Sequence, residues 1–392
     1  MKQFIQRYVL YGYMLPYNHF PDPEITNNHL GMDSSKRLGY IIKRGLGIVT
    51  ATLFLLTATG CRQKSVSISF ERFEDNPLIT AFLLPDSDGD DINGPSLIKV
   101  PDWIPDKLGK YYLYFAHHKG KYIRLAYADD LRGPWKIYTP GTLQITETVG
   151  ISSPLPADES QRRDGAETAN DAVQHIASPD VHVDEAKREI VMFFHTPSVY
   201  NGRLGQYSFR AASSDGIHFK ADSTVLGDCY FRVFERKGNH YAIARTGTLY
   251  RSTDGGHSFE TGHNPFEHIQ TKENFLRHAA VRVHNDKLFV FYSRIGDTPE
   301  RILLSEINLT DDWKDWIAEQ PVDVVQPEKD YEGADLPLTT SRAGLFWGKV
   351  RELRDPAIYV EENKWYLLYS VAGESGIAIG KLSNIESERS QK

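Results

Sequence analysis

Acidic side chains stand at the starts of two short apolar runs that are far apart in the sequence. Asp180 precedes one run and Asp355 precedes the other. Two carboxylates at one site can serve as a general base or nucleophile and its partner, provided that another group donates a proton. Three further side chains, Glu332, Glu374 and His278, are also able to exchange a proton. The alternative for Asp180 and Asp355 is that both accept backbone hydrogen bonds.

Other polar side chains near the same runs could bind a ligand. Arg232, Arg277 and Arg354 each stand beside the start of a run. Converging guanidinium groups bind a carboxylate or hydroxyl-rich ligand in a bidentate manner, and the alternative is salt bridging to acidic residues. The remaining predicted binding residues are Asn93, Ser96, His117 and His118.

The histidine pair at His117 and His118 could in principle bind a metal ion. Adjacent residues of a strand point to opposite faces, so at most one of the two points inward. The sequence therefore predicts no compact set of metal ligands and no cofactor, while a structural or axial cation such as calcium stays open.

The runs that carry these residues are short, β-branched and aromatic, and no long helical apolar period occurs. Five times a short apolar run, a charged turn and an aromatic-rich run follow one another. The five pairs are 94–100 with 111–115, 178–183 with 190–194, 230–234 with 240–244, 279–283 with 288–292, and 355–360 with 365–369. This repetition predicts an all-β fold, a five-bladed β-propeller of antiparallel blades, with six blades as the alternative. Strand-forming residues near 66–73 could complete a blade by joining the two ends of the ring.

Two hairpin motifs support the propeller. Residues 252–259, Ser-Thr-Asp-Gly-Gly-His-Ser-Phe, match the Asp-box pattern, and residues 213–219, Ser-Ser-Asp-Gly-Ile-His-Phe, are one residue shorter. In such a turn the aspartate accepts hydrogen bonds from backbone amides and glycine adopts a positive φ. We interpret both motifs as structural.

The starts of the apolar runs, together with Ala-Asp-Asp-Leu-Arg-Gly-Pro-Trp at 128–135, resemble the five-bladed glycoside hydrolases of families 43, 32 and 117 over about residues 75–385. The resemblance implies an active site at the propeller axis, where the innermost strands begin. Asp355, in Arg-Asp-Pro, has the form that these families use for a catalytic carboxylate, and Asp180 has a similar place in the second blade. The resemblance therefore implies Asp180 and Asp355 as the reactive pair, with Glu332, Glu374 or His278 as the proton donor. Glu332 resembles the Glu-Gly element that carries the acid in family 43, and family 117 uses a histidine acid, as His278 could be.

The first blade departs from this pattern, because Asn93-Gly94-Pro95-Ser96 stands where family 43 has its general-base aspartate. The resemblance nonetheless implies a glycosidase acting on an oligo- or polysaccharide with axial carboxylates. The alternatives are a glycan-binding propeller without activity and, on the Asp boxes and arginines, a sialidase-like hydrolase. The long segments 144–175 and 310–350 precede the second and fifth blades, and such insertions often carry function.

The N-terminal region has the layout of an export signal. Lys43 and Arg44 precede a short apolar stretch that ends in Thr-Gly before Cys61, which resembles the lipobox of bacterial lipoproteins. We expect lipidation of Cys61 and a protein exported to a bacterial membrane, facing the periplasm or cell surface, with Met32 as an alternative start. The predicted organisation is an extension and signal peptide at 1–60, a linker at 61–74, the propeller at 75–385 and a tail at 386–392.

Charge and cysteine content restrict the partners. The chain carries −7 overall, and residues 1–60 carry six basic and three acidic side chains, which leaves about −10 on the remainder. A nucleic-acid partner is therefore not expected, and the expected contact with a membrane is through the N-terminal lipid alone. Cys61 and Cys229 are the two cysteines, so with Cys61 acylated there is no disulfide framework. The sequence leaves the oligomeric state open.

Overall fold

A computed structural model of the protein describes residues 68–149, 174–344 and 346–385. The predicted signal peptide, the lipidation site Cys61 and the tail at 386–392 lie outside the described residues. Within the described part, secondary structure consists of 22 β-strands and short 3₁₀ turns, with no α-helix. No helix in these three ranges has the length and apolar character to cross a bilayer.

The strands form five antiparallel sheets, which are the five predicted blades. Blade 1 contains β3 (Asn93–Lys99), β4 (Tyr111–Ala116), β5 (Arg124–Ala128) and β6 (Lys136–Tyr138). Blade 2 contains β7 (Ala177–Asp184), β8 (Glu189–Tyr200), β9 (Arg203–Ser213), β10 (Lys220–Ala221) and β11 (Gly227–Asp228). Blade 3 contains β12 (Arg232–Arg236), β13 (Asn239–Ile243), β14 (Leu249–Ser252) and β15 (Glu260–Thr261).

Blade 4 contains β16 (Phe275–His284), β17 (Lys287–Ile295), β18 (Ile302–Asn308) and β19 (Val322–Val325). Blade 5 contains β20 (Arg354–Glu361), β21 (Lys364–Ser370) and β22 (Gly376–Ser383), with β1 (Ser69–Arg72) and β2 (Ile79–Thr80) both paired to β22. The 3₁₀ turns are Ala81–Leu83, Asp86–Gly89, Ile145–Glu147, Arg245–Gly247, Glu267–Ile269, Trp313–Asp315 and Asp330–Glu332.

The ring closes by joining both ends of the chain in blade 5. Strand β1 pairs antiparallel with β22, with Phe70 opposite Leu382. The strand predicted near 66–73 is therefore present, and the expectation of a linker over 61–74 is wrong for β1. The number of blades is five, so the six-bladed alternative is excluded for the described residues.

Each blade buries both of its faces against its neighbours, which explains the aromatic-rich runs. In β4 all six residues of Tyr111–Ala116 are buried, because a strand covered on both faces is apolar along its whole length instead of alternating. Five apolar clusters occupy the five blade interfaces; one joins Tyr114 of blade 1 to Met192 and Phe194 of blade 2. The first strand of each blade lies at the axis, and β20, β3 and β7 are in contact in that order, as are β12, β16 and β20.

Both Asp-box motifs form tight turns between outer strands. Asp254 accepts hydrogen bonds from the amides of residues 257 and 258 and from Ser252 Oγ, while Gly256 has a φ of +85°. Asp215 makes the same bond with Ser213 Oγ, at 2.8 Å. The structural interpretation of these motifs is thus confirmed.

Replacing Asp215 by alanine is expected to lower the free energy of unfolding by about 2 kcal/mol, because a charged acceptor of several hydrogen bonds is lost. Asp215 accepts from the amides of Ile217 and His218, each at 2.8 Å. Burial opposes ionisation, but the bonds from His218 and these amides lower the pKa of Asp215 to about 2. Urea unfolding measures the effect, which is present above about pH 4 and fades as the pH falls towards 2.

The control for this prediction is Asp311→Ala. Asp311 is 92% exposed and pairs with Lys237 at the surface, so its loss is expected to leave the free energy of unfolding nearly unchanged. Equal losses in the two variants would contradict a special role of the Asp-box turn.

Candidate active site

A pocket opens at the axis, at the end where the innermost strands begin, and all five blades contribute to it. Its charged and polar lining includes the imidazoles of four histidines, one carboxylate and three basic side chains. These residues are His118, His175, His195, His278, Asp355, Lys119, Arg245 and Arg277, together with Asn93, Ser178, Gln206 and Tyr230. The predicted position of the site on the fold is therefore occupied by a polar pocket.

Irregular pairing at the strand starts points these side chains towards the axis. Four of the five innermost strands have a register shift at their beginning, in β3, β7, β16 and β20. Within three of these bulges Gly94, Ser178 and Asp355 have positive φ angles of 60°, 53° and 46°. A bulge redirects side chains locally, and in blade 5 it turns Asp355 towards the pocket.

His278 and Asp355 form the central unit of the pocket. Nδ1 of His278 lies 2.7 Å from Oδ1 of Asp355, and both side chains are buried. The hydroxyl of Ser370 donates a hydrogen bond to Oδ2 of the same carboxylate at 3.2 Å. The ring of Tyr230 packs on the His278 imidazole with a centroid distance of 4.7 Å. Asp355 and Tyr230 therefore fix the orientation of His278.

The charges of this pair are set by burial and by mutual attraction. Burial lowers the pKa of His278 although Asp355 opposes the shift, so the imidazole is neutral at pH 7. Burial alone would raise the pKa of Asp355, but the neighbouring His278 lowers it below its usual range. The result is a neutral imidazole held by an ionised carboxylate, an arrangement suited to accepting a proton.

A second pair of imidazoles lies on the blade 2 side of the pocket. Nε2 of His195 lies 3.2 Å from Nε2 of His175, and the His195 ring packs on Tyr230 at 4.4 Å. Burial and His175 hold the pKa of His195 well below its usual value. Tyr230 is thus sandwiched between two imidazoles, and burial raises its pKa, which keeps its hydroxyl available as a hydrogen-bond donor.

The blade 1 side of the pocket contains a cluster in which three predicted residues, Asn93, His118 and Glu374, meet Asp91, which was not predicted. His118 Nδ1 lies 2.7 Å from Oε2 of Glu374 and 3.3 Å from Oδ2 of Asp91. Asn93 donates a hydrogen bond from Nδ2 to Oδ1 of Asp91 at 2.6 Å. Burial would lower the pKa of His118, but Glu374 and Asp91 raise it to about 10. Of the two adjacent histidines, His118 is the one that points inward.

The three predicted arginines do not converge on one ligand. Arg354 is fully buried and binds Glu352 and Glu374, with its Nη1 3.0 Å from Oε1 of Glu374. Arg277 lines the pocket but pairs with Glu300 at 2.9 Å. For Arg354 the alternative of salt bridging is therefore correct, and its predicted role in substrate binding is wrong.

Arg232 also has a structural role. Its guanidinium group donates to the backbone carbonyls of Ser178 and Ala279, and so links blades 2, 3 and 4 across the axis. It lines a different pocket, further along the axial channel. The prediction that Arg232 binds substrate together with Arg277 and Arg354 is therefore wrong.

Asp180 and Ser96 lie in that second pocket with Arg232. Asp180 accepts the amide of Val233 at 2.7 Å and pairs with His182 at 2.8 Å, while Ser96 Oγ accepts the amide of Val181. The predicted pair of Asp180 with Asp355 is not formed, because the first residue follows its strand-start proline and the second precedes it. Both Asp180 and Ser96 connect neighbouring innermost strands.

Glu332 and His117 also lie away from the pocket. The Glu332 carboxylate is completely buried and binds Arg72 at 2.7 Å and the hydroxyl of Tyr369 at 2.7 Å, so it anchors the loop before blade 5 to β1. Nδ1 of His117 accepts the amide of Lys119 within a turn. These two residues were predicted as a proton donor and a binding residue, and their contacts contradict both roles.

Glu374 is at the site but in another capacity than predicted. Burial would raise its pKa, yet His118 and Arg354 lower it well below the usual range. An ionised carboxylate accepts hydrogen bonds or binds cations and cannot donate a proton.

The two long segments that precede blades 2 and 5 were expected to carry function. Segment 310–350 contributes Gly344 to the pocket wall. Of segment 144–175, His175 lines the pocket, and residues 150–173 lie outside the described residues.

Comparisons with known proteins define the class of fold. No family model matches the chain. A protein of Parabacteroides distasonis, described as a candidate glycoside hydrolase, superimposes with a TM-score of 0.52 at 12% identity, covering 82% of this chain and 97% of that one. A family 43 β-xylosidase/α-arabinofuranosidase from a compost metagenome, solved with xylotriose, gives 0.49 at 14% identity over 80% and 94% of the chains. The chain is a five-bladed propeller with a glycosidase-like fold.

A sequence relative defines its family. The chain is 35% identical over 348 residues to the uncharacterized protein R118 of Acanthamoeba polyphaga mimivirus. The aligned region covers 84% of this chain and 94% of the mimivirus protein. The protein belongs to the same family as this mimivirus protein.

Proposed function

We propose that the protein hydrolyses a glycosidic bond in the axial pocket, with His278 as the group that takes up a proton. The observation that carries this proposal is the 2.7 Å contact of the neutral His278 imidazole with the ionised Asp355 carboxylate. The glycosidase-like propeller supports the substrate class, because the pocket occupies the axial end at which the innermost strands begin.

His278 and Asp355 act as one unit in this proposal. Two carboxyl groups on opposite sides of a glycosidic bond are about 5–9.5 Å apart, whereas these two side chains are in direct contact. The unit therefore supplies the general base of the reaction and not the proton donor. His278 removes a proton from the attacking water, and Asp355 stabilises the imidazolium that forms, as in other base–orienter pairs.

The bonds and protons of the reaction balance in the following way. The water oxygen bonds to the anomeric carbon while the carbon–oxygen bond to the leaving sugar breaks. The leaving oxygen takes up a proton from solvent through the pocket mouth, and the imidazolium of His278 later returns its proton to solvent. The negative charge of Asp355 favours the positive charge that develops on the sugar ring.

Hydrolysis can be tested with the full-length chain on a panel of pentose- and hexose-containing polysaccharides and aryl glycosides. We expect release of reducing sugar from at least one substrate, and its loss in His278→Asn. Binding of a glycan without release from any substrate would refute hydrolysis and support a glycan-binding propeller. Release of sialic acid alone would support the sialidase-like alternative.

An exposed aromatic side chain beside the pocket mouth is expected to bind a sugar ring. The Trp347 ring is 58% exposed and lies 5.0 Å from Nζ of Lys119, which lines the pocket. Replacing Trp347 by alanine is expected to raise KM about fivefold to tenfold, the equivalent of a contact worth about 1–1.4 kcal/mol, with kcat within about twofold.

Steady-state kinetics on the substrate found in the panel measure this effect, and Ile317→Ala is the control. Ile317 is 61% exposed and does not line the pocket, so its variant should have an unchanged KM. A lowered kcat with unchanged KM in Trp347→Ala would contradict a role in sugar binding.

A further inference from the structure

We infer that Asp91, His118 and Glu374 bind a divalent transition-metal ion at the wall of the axial pocket. One potential ligand atom from each of these residues lies within 4.8 Å of the others. The three residues come from the segment before β3, the end of β4 and the turn before β22, so ring closure brings them together. The inference does not depend on the proposed hydrolysis.

Each carboxylate has one oxygen fixed and the other directed at the cluster. Oδ1 of Asp91 accepts from Asn93 Nδ2 at 2.6 Å and from the His118 amide at 3.2 Å. Oε1 of Glu374 accepts from Arg354 at 3.0 Å. The other oxygens, Oδ2 of Asp91 and Oε2 of Glu374, are buried and face Nδ1 of His118, at 3.3 Å and 2.7 Å. Carboxylates held in this manner by outer contacts are oriented as monodentate metal ligands.

A proton on Nδ1 of His118 pairs with the two carboxylates but also faces a second donor. Nδ1 of His118 lies within 3.3 Å of Oδ2 of Asp91 and Oε2 of Glu374, and 2.9 Å from the side-chain nitrogen Nδ2 of Asn93. An N–H would face the NH₂ group of Asn93, and a bare lone pair would face the two carboxylates. A cation bound by the lone pair and both oxygens removes the repulsion, and Asn93 then donates to Asp91 alone.

The charge of the surrounding cluster also favours a cation. Buried carboxylates outnumber buried guanidinium groups around this wall, and an excess of unpaired buried charge is costly. The carboxylates are Asp91, Glu300, Glu352, Asp355 and Glu374, and the guanidinium groups are Arg124, Arg277 and Arg354. When His118 is neutral, as a metal ligand must be, five against three leaves two negative charges, which one divalent ion would offset.

The ligand types indicate the kind of ion. An imidazole with two carboxylates suits Zn²⁺ or Mn²⁺, whereas Ca²⁺ requires six to eight oxygen ligands. Three protein ligands leave further positions open, and the His118 side chain is 21% exposed to the pocket. An ion at this wall would therefore be accessible to water and to sugar hydroxyl groups.

Calorimetric titration of the chelator-treated full-length protein with Zn²⁺, Mn²⁺ and Ca²⁺ tests the site in the absence of any carbohydrate. We expect one Zn²⁺ or Mn²⁺ per chain, with Ca²⁺ binding more weakly. His118→Gln and Glu374→Gln should lower the affinity by more than about 100-fold, and Asn93→Ala by about tenfold through the loss of its bond to Asp91.

His117→Gln is the matched control, because the adjacent His117 points away from the cluster and should leave the affinity unchanged. Thermal unfolding with and without Zn²⁺ covers the case in which Glu374→Gln folds poorly: stabilisation by Zn²⁺ should be present in the wild type and absent in His118→Gln. No binding of Zn²⁺ or Mn²⁺, tighter binding of Ca²⁺, or equal Zn²⁺ binding by His118→Gln would overturn the inference. Absence of hydrolysis would leave these results unaffected.

Discussion

Replacing His278 by asparagine is expected to lower kcat about 10²–10⁴-fold, the usual effect of removing a group that transfers a proton. The asparagine amide can still donate to Asp355 from the position of Nδ1, so the carboxylate keeps its partner and the pocket keeps its shape. What is lost is Nε2, the atom assigned to the attacking water. Rates on the substrate found in the panel measure kcat, and glycan binding measures whether the pocket is intact.

The control is His284→Asn, at the other end of the same strand. His284 packs on Trp365 and does not line the pocket, so its variant should retain wild-type rates. A His278→Asn protein that binds glycan and turns over within about twofold of wild type would refute the assignment of His278 as the base.

The propeller could be predicted from local sequence because each blade contains a complete hairpin. The five predicted pairs of runs are the first two strands of the five blades, for example β20 and β21. Outer strands were harder to predict: β10 and β15 have two residues each, which is too short for a pattern of apolar residues. Their presence was indicated by the Asp-box turns that precede them.

The pairing of carboxylates was mispredicted because the strand starts were aligned by their aspartates. Prolines mark the correct alignment: Gly94-Pro95, Ser178-Pro179 and Asp355-Pro356. In that alignment Ser178 and Gly94 are equivalent to Asp355, and Asp180 falls beyond the bulge with Ser96. The positions of the prolines therefore argued against pairing Asp180 with Asp355. The register shift at each strand start explains why the proline, and not the aspartate, marks equivalent positions.

The unpredicted residues of the site have weaker signals. Asp91 is one of four aspartates within residues 86–91, and nothing local distinguishes it from the three others. His195 lies inside an apolar strand and Tyr230 at the start of another, where aromatic side chains are ordinary core residues. Their proximity to His278 depends on the closure of the ring, which places residues far apart in sequence around one axis.

Replacing Asp355 by asparagine is expected to move the acid limb of the pH profile of kcat/KM to lower pH, in addition to lowering kcat about 10²–10⁴-fold. Burial lowers the pKa of His278, and Asp355 is the neighbour that opposes this shift. Without the carboxylate the pKa falls further, so the neutral, active imidazole persists to lower pH. In the wild type the limb should lie below pH 6.5. Histidine NMR measures the same titration in the absence of substrate.

A merely structural role of Asp355 would lower the rate without moving the titration, so the two measurements together distinguish orientation from folding. Asp180→Asn is the matched control, because Asp180 is an innermost-strand aspartate that pairs with His182 in the other pocket. Its loss should weaken the bond to β12 but leave the acid limb in place, since His278 does not contact it. A limb that moves to higher pH in Asp355→Asn, or equally in both variants, would contradict the assignment of Asp355 as the residue that positions and tunes His278.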